Sequence, residues 1–128
     1  MVQIAGTYKL EKNENLAEYL TALGISEEKI KLASTPGSTV EITVEGNKYT
    51  FNSSVMFTTL ILNEEVDEKV PSGITVKSKA TLDGNKLCIE SYFPDGRNGT
   101  RIFEFNEEGF IVTMTTSSLE AKRYFVRV

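Results

Sequence analysis

Two arginines and one absence define the chemistry open to this chain. Arg123 lies in the final run, Ala121 to Arg127, and Arg101 lies two residues before Phe103 in an earlier one. A guanidinium stays charged and offers five donors in a flat fork, which suits a carboxylate. Inside an apolar shell it needs such a partner, because an unpaired buried charge is costly. The sequence has no histidine and a single cysteine, Cys88. The commonest general base and metal ligand are therefore missing, and neither a zinc site nor a histidine-containing triad can be built. No carboxylate spacing points to acid–base chemistry. The expectation is a binding protein rather than an enzyme, with no metal and no cofactor.

Composition narrows the class. With 128 residues, 40% apolar and 25% charged, the chain is long enough for one domain, 1–128, with a real core. The net charge of −4 weighs against a nucleic-acid partner. No apolar run approaches the ~20 residues that span a bilayer. The first residues lack a basic start followed by an apolar segment, so no signal peptide is read. Cys88 cannot form an internal disulfide, which fits a reducing, cytoplasmic compartment, and it is expected to be a buried, inert thiol on a strand. The triplets Asn52-Ser53-Ser54 and Asn98-Gly99-Thr100 match a glycosylation pattern and are expected to be empty.

The elements that would position the arginines follow from periodicity. Ala5 to Leu10 reads as a first strand with Tyr8 and Leu10 on one face. Leu16, Tyr19, Leu20 and Leu23 then form one helical stripe, with Asn13 as the expected N-cap and Gly24 at the C-terminus. Ser26 can cap a second short helix whose Ile30 and Ala33 face inward. Beyond Pro36-Gly37 the period changes to two. Val40, Ile42 and Val44 share a face, as do Tyr49, Phe51 and Ser53. Further strands read as Met56 to Leu62, Val66 to Val70, Ile74 to Leu82, Lys86 to Phe93, Thr100 to Asn106, Phe110 to Thr116 and Ala121 to Arg127. Asp83-Gly84 is a strong hairpin signal. Ten short antiparallel strands should close, because open edges invite aggregation. The result is an all-β barrel with a helical cap.

Alternation leaves the last strand ambiguous. Arg123, Phe125 and Arg127 share one face, and Tyr124, Val126 and Val128, the better core, share the other. An inward Arg123 would be satisfied by a ligand carboxylate, or by water and a neighbouring acid such as Glu90. Tyr49, Phe51, Met56 and Phe57 read as ordinary core or as cavity lining. Met56 and Phe57 would lie near an entrance, where methionine adapts to varied apolar shapes. Thr113 and Thr115 share a face with Ile111 and either hold cavity water or a head group, or lie exposed.

The residues also carry a resemblance. Gly6-Thr7-Tyr8-Lys9-Leu10, then Glu14-Asn15-Leu16 and Tyr19-Leu20, resembles the N-terminal signature of the intracellular lipid-binding proteins, the fatty-acid-binding protein family of the calycin superfamily. The signature prefers an aromatic and an acid where Leu16 and Ala17 stand. Gly24 to Ile30 is similar to the helix junction of the liver-type, bile-acid-binding branch. Thr81 to Leu87 is similar to a recurring family hairpin, and Arg123 to Val128 to the family's last strand.

The resemblance implies a ten-stranded antiparallel up-and-down β-barrel, a β-clam, under a helix-turn-helix lid. It implies a monomeric intracellular carrier of long-chain fatty acids, with retinoids, bile acids or other bulky amphipaths as the alternative. The family commonly anchors the carboxylate with two arginines and a tyrosine. Arg123 matches one arginine, Phe125 stands at the tyrosine, and Phe103 stands at the other arginine. Arg101 shares the face of Phe103, about 7 Å along the strand, and is the expected substitute cation. Lys12, Lys29 and Lys31 read as a solvated helix face, or else as points of transient contact with anionic membrane through the lid.

Overall fold

The computed structural model describes residues 3–53, 57–69, 73–94, 96–116 and 119–128. Ten strands form one sheet: β1 (Gly6–Glu14), β2 (Thr39–Glu45), β3 (Lys48–Ser53), β4 (Phe57–Ile61), β5 (Glu65–Lys69), β6 (Thr75–Asp83), β7 (Lys86–Tyr92), β8 (Asn98–Phe105), β9 (Gly109–Thr116) and β10 (Leu119–Arg127). Two helices, α1 (Leu16–Ala22) and α2 (Glu27–Ser34), fill the link between β1 and β2. The ten antiparallel strands and the two-helix lid agree with the sequence reading. Among the described residues, no helix is long and apolar enough to cross a membrane.

The strand order is β4-β3-β2-β1-β10-β9-β8-β7-β6-β5. The first and last strands pair in the middle, so the two halves curl toward each other and leave β4 and β5 as the edges. The edges meet through little backbone. Leu62 and Ala80 form an isolated bridge, and the Asn63 N–H donates to the Ala80 carbonyl at 2.7 Å. The barrel is therefore nearly closed, with a gap between β4 and β5.

Alternation sets what lies inside. Tyr8 and Leu10 are fully buried, as expected from their shared face. At the end of the barrel remote from the helices, Tyr8 meets Phe110 edge-on at 4.8 Å, and Phe110 stacks on Phe125 at 4.6 Å. Each such pair adds about 0.5–1.5 kcal/mol beyond area burial. Gly109 opens β9 against this cluster rather than marking a turn. A Cβ there would lie 2.0 Å from the Phe125 carbonyl oxygen, so no side chain fits. The turn itself is made by Asn106, whose Oδ1 accepts from the backbone N–H groups of Glu108 and Gly109.

The first strand runs further than its sequence indicated. Asn13 does not cap α1; that position is Asn15, in a left-handed conformation with φ of 56°. The reason is a long-range ladder. Lys12, Asn13 and Glu14 pair with Tyr124, Arg123 and Lys122 of β10. The register slips between Leu10 and Lys12, and such a bulge reverses which residues face inward. Leu10 points in before it and Asn13 after it.

The second helix matches its reading. The Lys29 N–H donates to the Ser26 hydroxyl, Glu27 and Glu28 occupy the first turn, and Ile30 and Ala33 are buried. Its C-terminal end is closed by side chains. The carbonyls of Lys31 and Leu32 accept from the Thr35 and Ser38 hydroxyls. Those of Ala33 and Ser34 accept from Arg123 and Asn13 of the barrel. Two of the orphan carbonyls of the last turn are thus satisfied by the strands beneath.

Candidate ligand cavity

Between the helices and the aromatic floor lies an internal cavity of about 190 Å³. Leu16, Tyr19 and Leu20 of α1 form part of its roof. Val40, Phe51, Leu60 and Val76 line one wall, and Phe103, Val112, Met114 and Phe125 the other. The lining is mostly apolar, with two cationic poles set into it.

The first pole is Arg123. It lines the cavity directly under α2. Its Nε donates to Asn13 Oδ1 at 3.1 Å and its Nη2 to the Ala33 carbonyl at 2.5 Å. The guanidinium also lies over the Phe125 ring, 5.0 Å from its centroid. Burial lowers its pKa to about 10. No carboxylate lies within ion-pair distance among the described residues. The suggested Glu90 partner is exposed on the outer face of β7 and accepts from the Tyr92 hydroxyl instead. Three N–H donors of Arg123 are uncommitted, enough for a two-oxygen acceptor beside the helix contact.

The second pole is Arg101, and it is neutralised. Nη1 donates to Glu68 Oε2 at 3.1 Å and Nη2 to Glu68 Oε1 at 2.5 Å. Glu68 is 1% exposed and the Arg101 side chain 19%. The Ser78 hydroxyl donates to Glu68 at 2.7 Å and lies 2.8 Å from the Ser91 hydroxyl. Thr58 also hydrogen-bonds Glu68. Burial alone would raise the Glu68 pKa. The Arg101 charge and the hydrogen bonds from Arg101, Ser78 and Thr58 outweigh it and hold the carboxyl below its usual range. Tyr19 lies in the field of Arg101, but burial dominates and raises its hydroxyl pKa.

The cavity brings together Arg123, Phe125, Arg101, Phe103 and Phe51 from the sequence-derived set. Tyr49 is buried in the core away from the cavity lining. Met56 lies outside the described residues. Phe57 requires correction. It is 66% exposed, because Thr58 and Leu60 take the inward positions of β4. Ile111, Thr113 and Thr115 also require correction. Val112 pairs with Arg123 and Ile111 with Tyr124. An inward Arg123 therefore puts Phe110, Val112 and Met114 inside and turns Ile111, Thr113 and Thr115 to the outer face. That set is also the more apolar of the two, a signal available in the sequence.

Glu68, Ser78, Ser91 and Asn13 were not foreseen. Three of them carried a trace. Glu68, Ser78 and Ser91 are polar residues in the apolar phase of their strands, alongside Val66, Val76 and Ile89. Cys88 sits on β7 as expected but is only half-buried. Burial and the neighbouring Glu90 charge push its thiol pKa up, which keeps it protonated.

No family model matches the chain. A fatty acid-binding protein of Tyrophagus putrescentiae is 34% identical over 134 aligned positions, covering 99% of both chains. The fatty acid-binding protein of Drosophila melanogaster brain superposes with a TM-score of 0.82 at 35% identity, covering 94% of this chain and 95% of that one. A Schistosoma mansoni fatty acid binding protein in complex with arachidonic acid superposes at 0.84 with 26% identity, covering 97% and 95%.

Proposed function

The chain belongs to the fatty-acid-binding protein family, and from that premise we propose that it is an intracellular, monomeric carrier that reversibly binds a long-chain fatty acid in the barrel, with the carboxylate at Arg123. The observation that carries this reading is a largely buried guanidinium facing a mostly apolar cavity without an acidic partner among the described residues. A carboxylate would supply the missing counter-charge through charge-assisted bonds. The acyl chain would lie along the Phe51, Phe103 and Met114 surfaces. Each CH₂ buried contributes about 0.8 kcal/mol, so a long chain offers roughly 10 kcal/mol before ordering costs.

Arg101 is not the second anchor in this reading. Its charge is already matched by Glu68, and a ligand carboxylate would have to displace a bidentate pair. The exposed Lys31 and Leu32 of α2 give the lid a surface for transient contact with anionic membrane. Native mass spectrometry after incubation with oleate tests the carrier role. The expected result is one or two oleates per chain, released by mild activation. A chain that stays empty with oleate, but loads with a retinoid or bile acid, would contradict it.

A further inference from the structure

The polar cluster around Glu68 does more than bridge strands. Its cavity-facing members are Arg101, Ser91 and Thr58, and its hydrogens can be placed by elimination. An ionised Glu68 only accepts, and Ser78 gives it its one hydrogen. The hydrogen between the two serines therefore comes from Ser91. Ser91 in turn accepts from Arg101 Nη2 at 3.5 Å. Thr58 spends its hydrogen on Glu68. What remains uncommitted is specific. Arg101 keeps its Nε–H and one Nη1–H, and Thr58 and Ser91 keep oxygen lone pairs.

This pole is neutral overall, since Arg101 and Glu68 cancel. Its residues line one cavity and hold both spare donors and spare acceptors, which matches a group that both donates and accepts. A second carboxylate would meet Glu68, and a methylene would leave the donors facing hydrocarbon. We propose that Arg101, Ser91 and Thr58, held by Glu68, form a second subsite that takes a hydroxyl on the acyl chain, so that hydroxylated long-chain fatty acids are preferred ligands. This rests on the fatty-acid reading above. Arg123 then fixes the carboxylate under the lid, and the register sets the spacing. Arg101 pairs with Met114, Met114 with Ala121, and Arg123 follows Ala121 by two residues. The two arginine Cα atoms are therefore about 12 Å apart, from strand spacing and rise. The second subsite would meet the chain well beyond its head.

The test is calorimetric titration of stearate and its 9-, 10- and 12-hydroxy derivatives into the wild type, Ser91→Ala and Thr58→Val. At least one hydroxystearate should bind the wild type about tenfold tighter than stearate. That preference should fall to within about twofold in both variants. Equal affinity for all four ligands in the wild type would overturn the subsite and leave the carrier role standing. A preference that survives both substitutions would also overturn it. Failure of all four ligands to bind would remove the fatty-acid reading itself.

Discussion

Arg123 and Arg101 are chemically identical, and their neighbours give them opposite roles. Arg123 is desolvated without a counter-charge, and its folded pKa is lowered to about 10. The unfolded chain holds that proton more firmly, so burying the charged form opposes folding at neutral pH. A bound carboxylate would relieve that penalty. Arg101 has its carboxylate built in. Glu68 has a folded pKa below its unfolded value near 4.3. The stability it supplies is therefore complete above that unfolded value and is lost as pH falls through the folded one. Glu68→Gln should destabilise the protein at pH 7 by about 3–5 kcal/mol, because it leaves a buried guanidinium unmatched. Urea melts from pH 6 down to pH 3 should show the gap between wild type and variant narrowing. A gap that is constant with pH would mean that the carboxylate charge contributes nothing.

At the scale of elements, the lid and the barrel share one polar joint. The bulge after Leu10 turns Asn13 inward, where it bonds both Arg123 and the Ser34 carbonyl. Asn13→Ala should loosen α2 without disturbing the far strands. Amide hydrogen exchange in α2 should speed up about fivefold to tenfold, from loss of roughly 1–1.4 kcal/mol of hydrogen bonding. Exchange in β6 to β9 should be unchanged. Uniform acceleration through the whole chain would instead place Asn13 in the global core. The start of α2 was legible from Ser26 and the two acids after it, because capping is local. The end of β1 was not. Asn13 is a good cap by residue type, and only its pairing with a strand 110 residues away keeps it extended.

Across the whole molecule, the barrel closes without a continuous ladder. Glu68 of β5 reaches Thr58 of β4 across the gap, and through Ser78, Ser91 and Arg101 it ties β6, β7 and β8 to the same point. Strand number was readable from period-two segments and turn signals such as Asp83-Gly84, whereas the up-and-down order was what the resemblance implied. The inner face of β10 was not readable from alternation, since Tyr124 and Val126 look more like core than Arg123. The resemblance favoured Arg123, and the register of β9 against β10 fixes which β9 residues accompany it. Faces must be assigned strand against strand, which is why Thr113 and Thr115 were misplaced while Phe51 and Phe103 were not. The most direct test of the account is the affinity of oleate and methyl oleate for the wild type and Arg123→Ala. The wild type should prefer oleate by tenfold to a hundredfold, from about 1.5–3 kcal/mol of charge-assisted bonding, and the variant should bind the two alike. Equal binding of acid and ester by the wild type would contradict Arg123 as the carboxylate anchor.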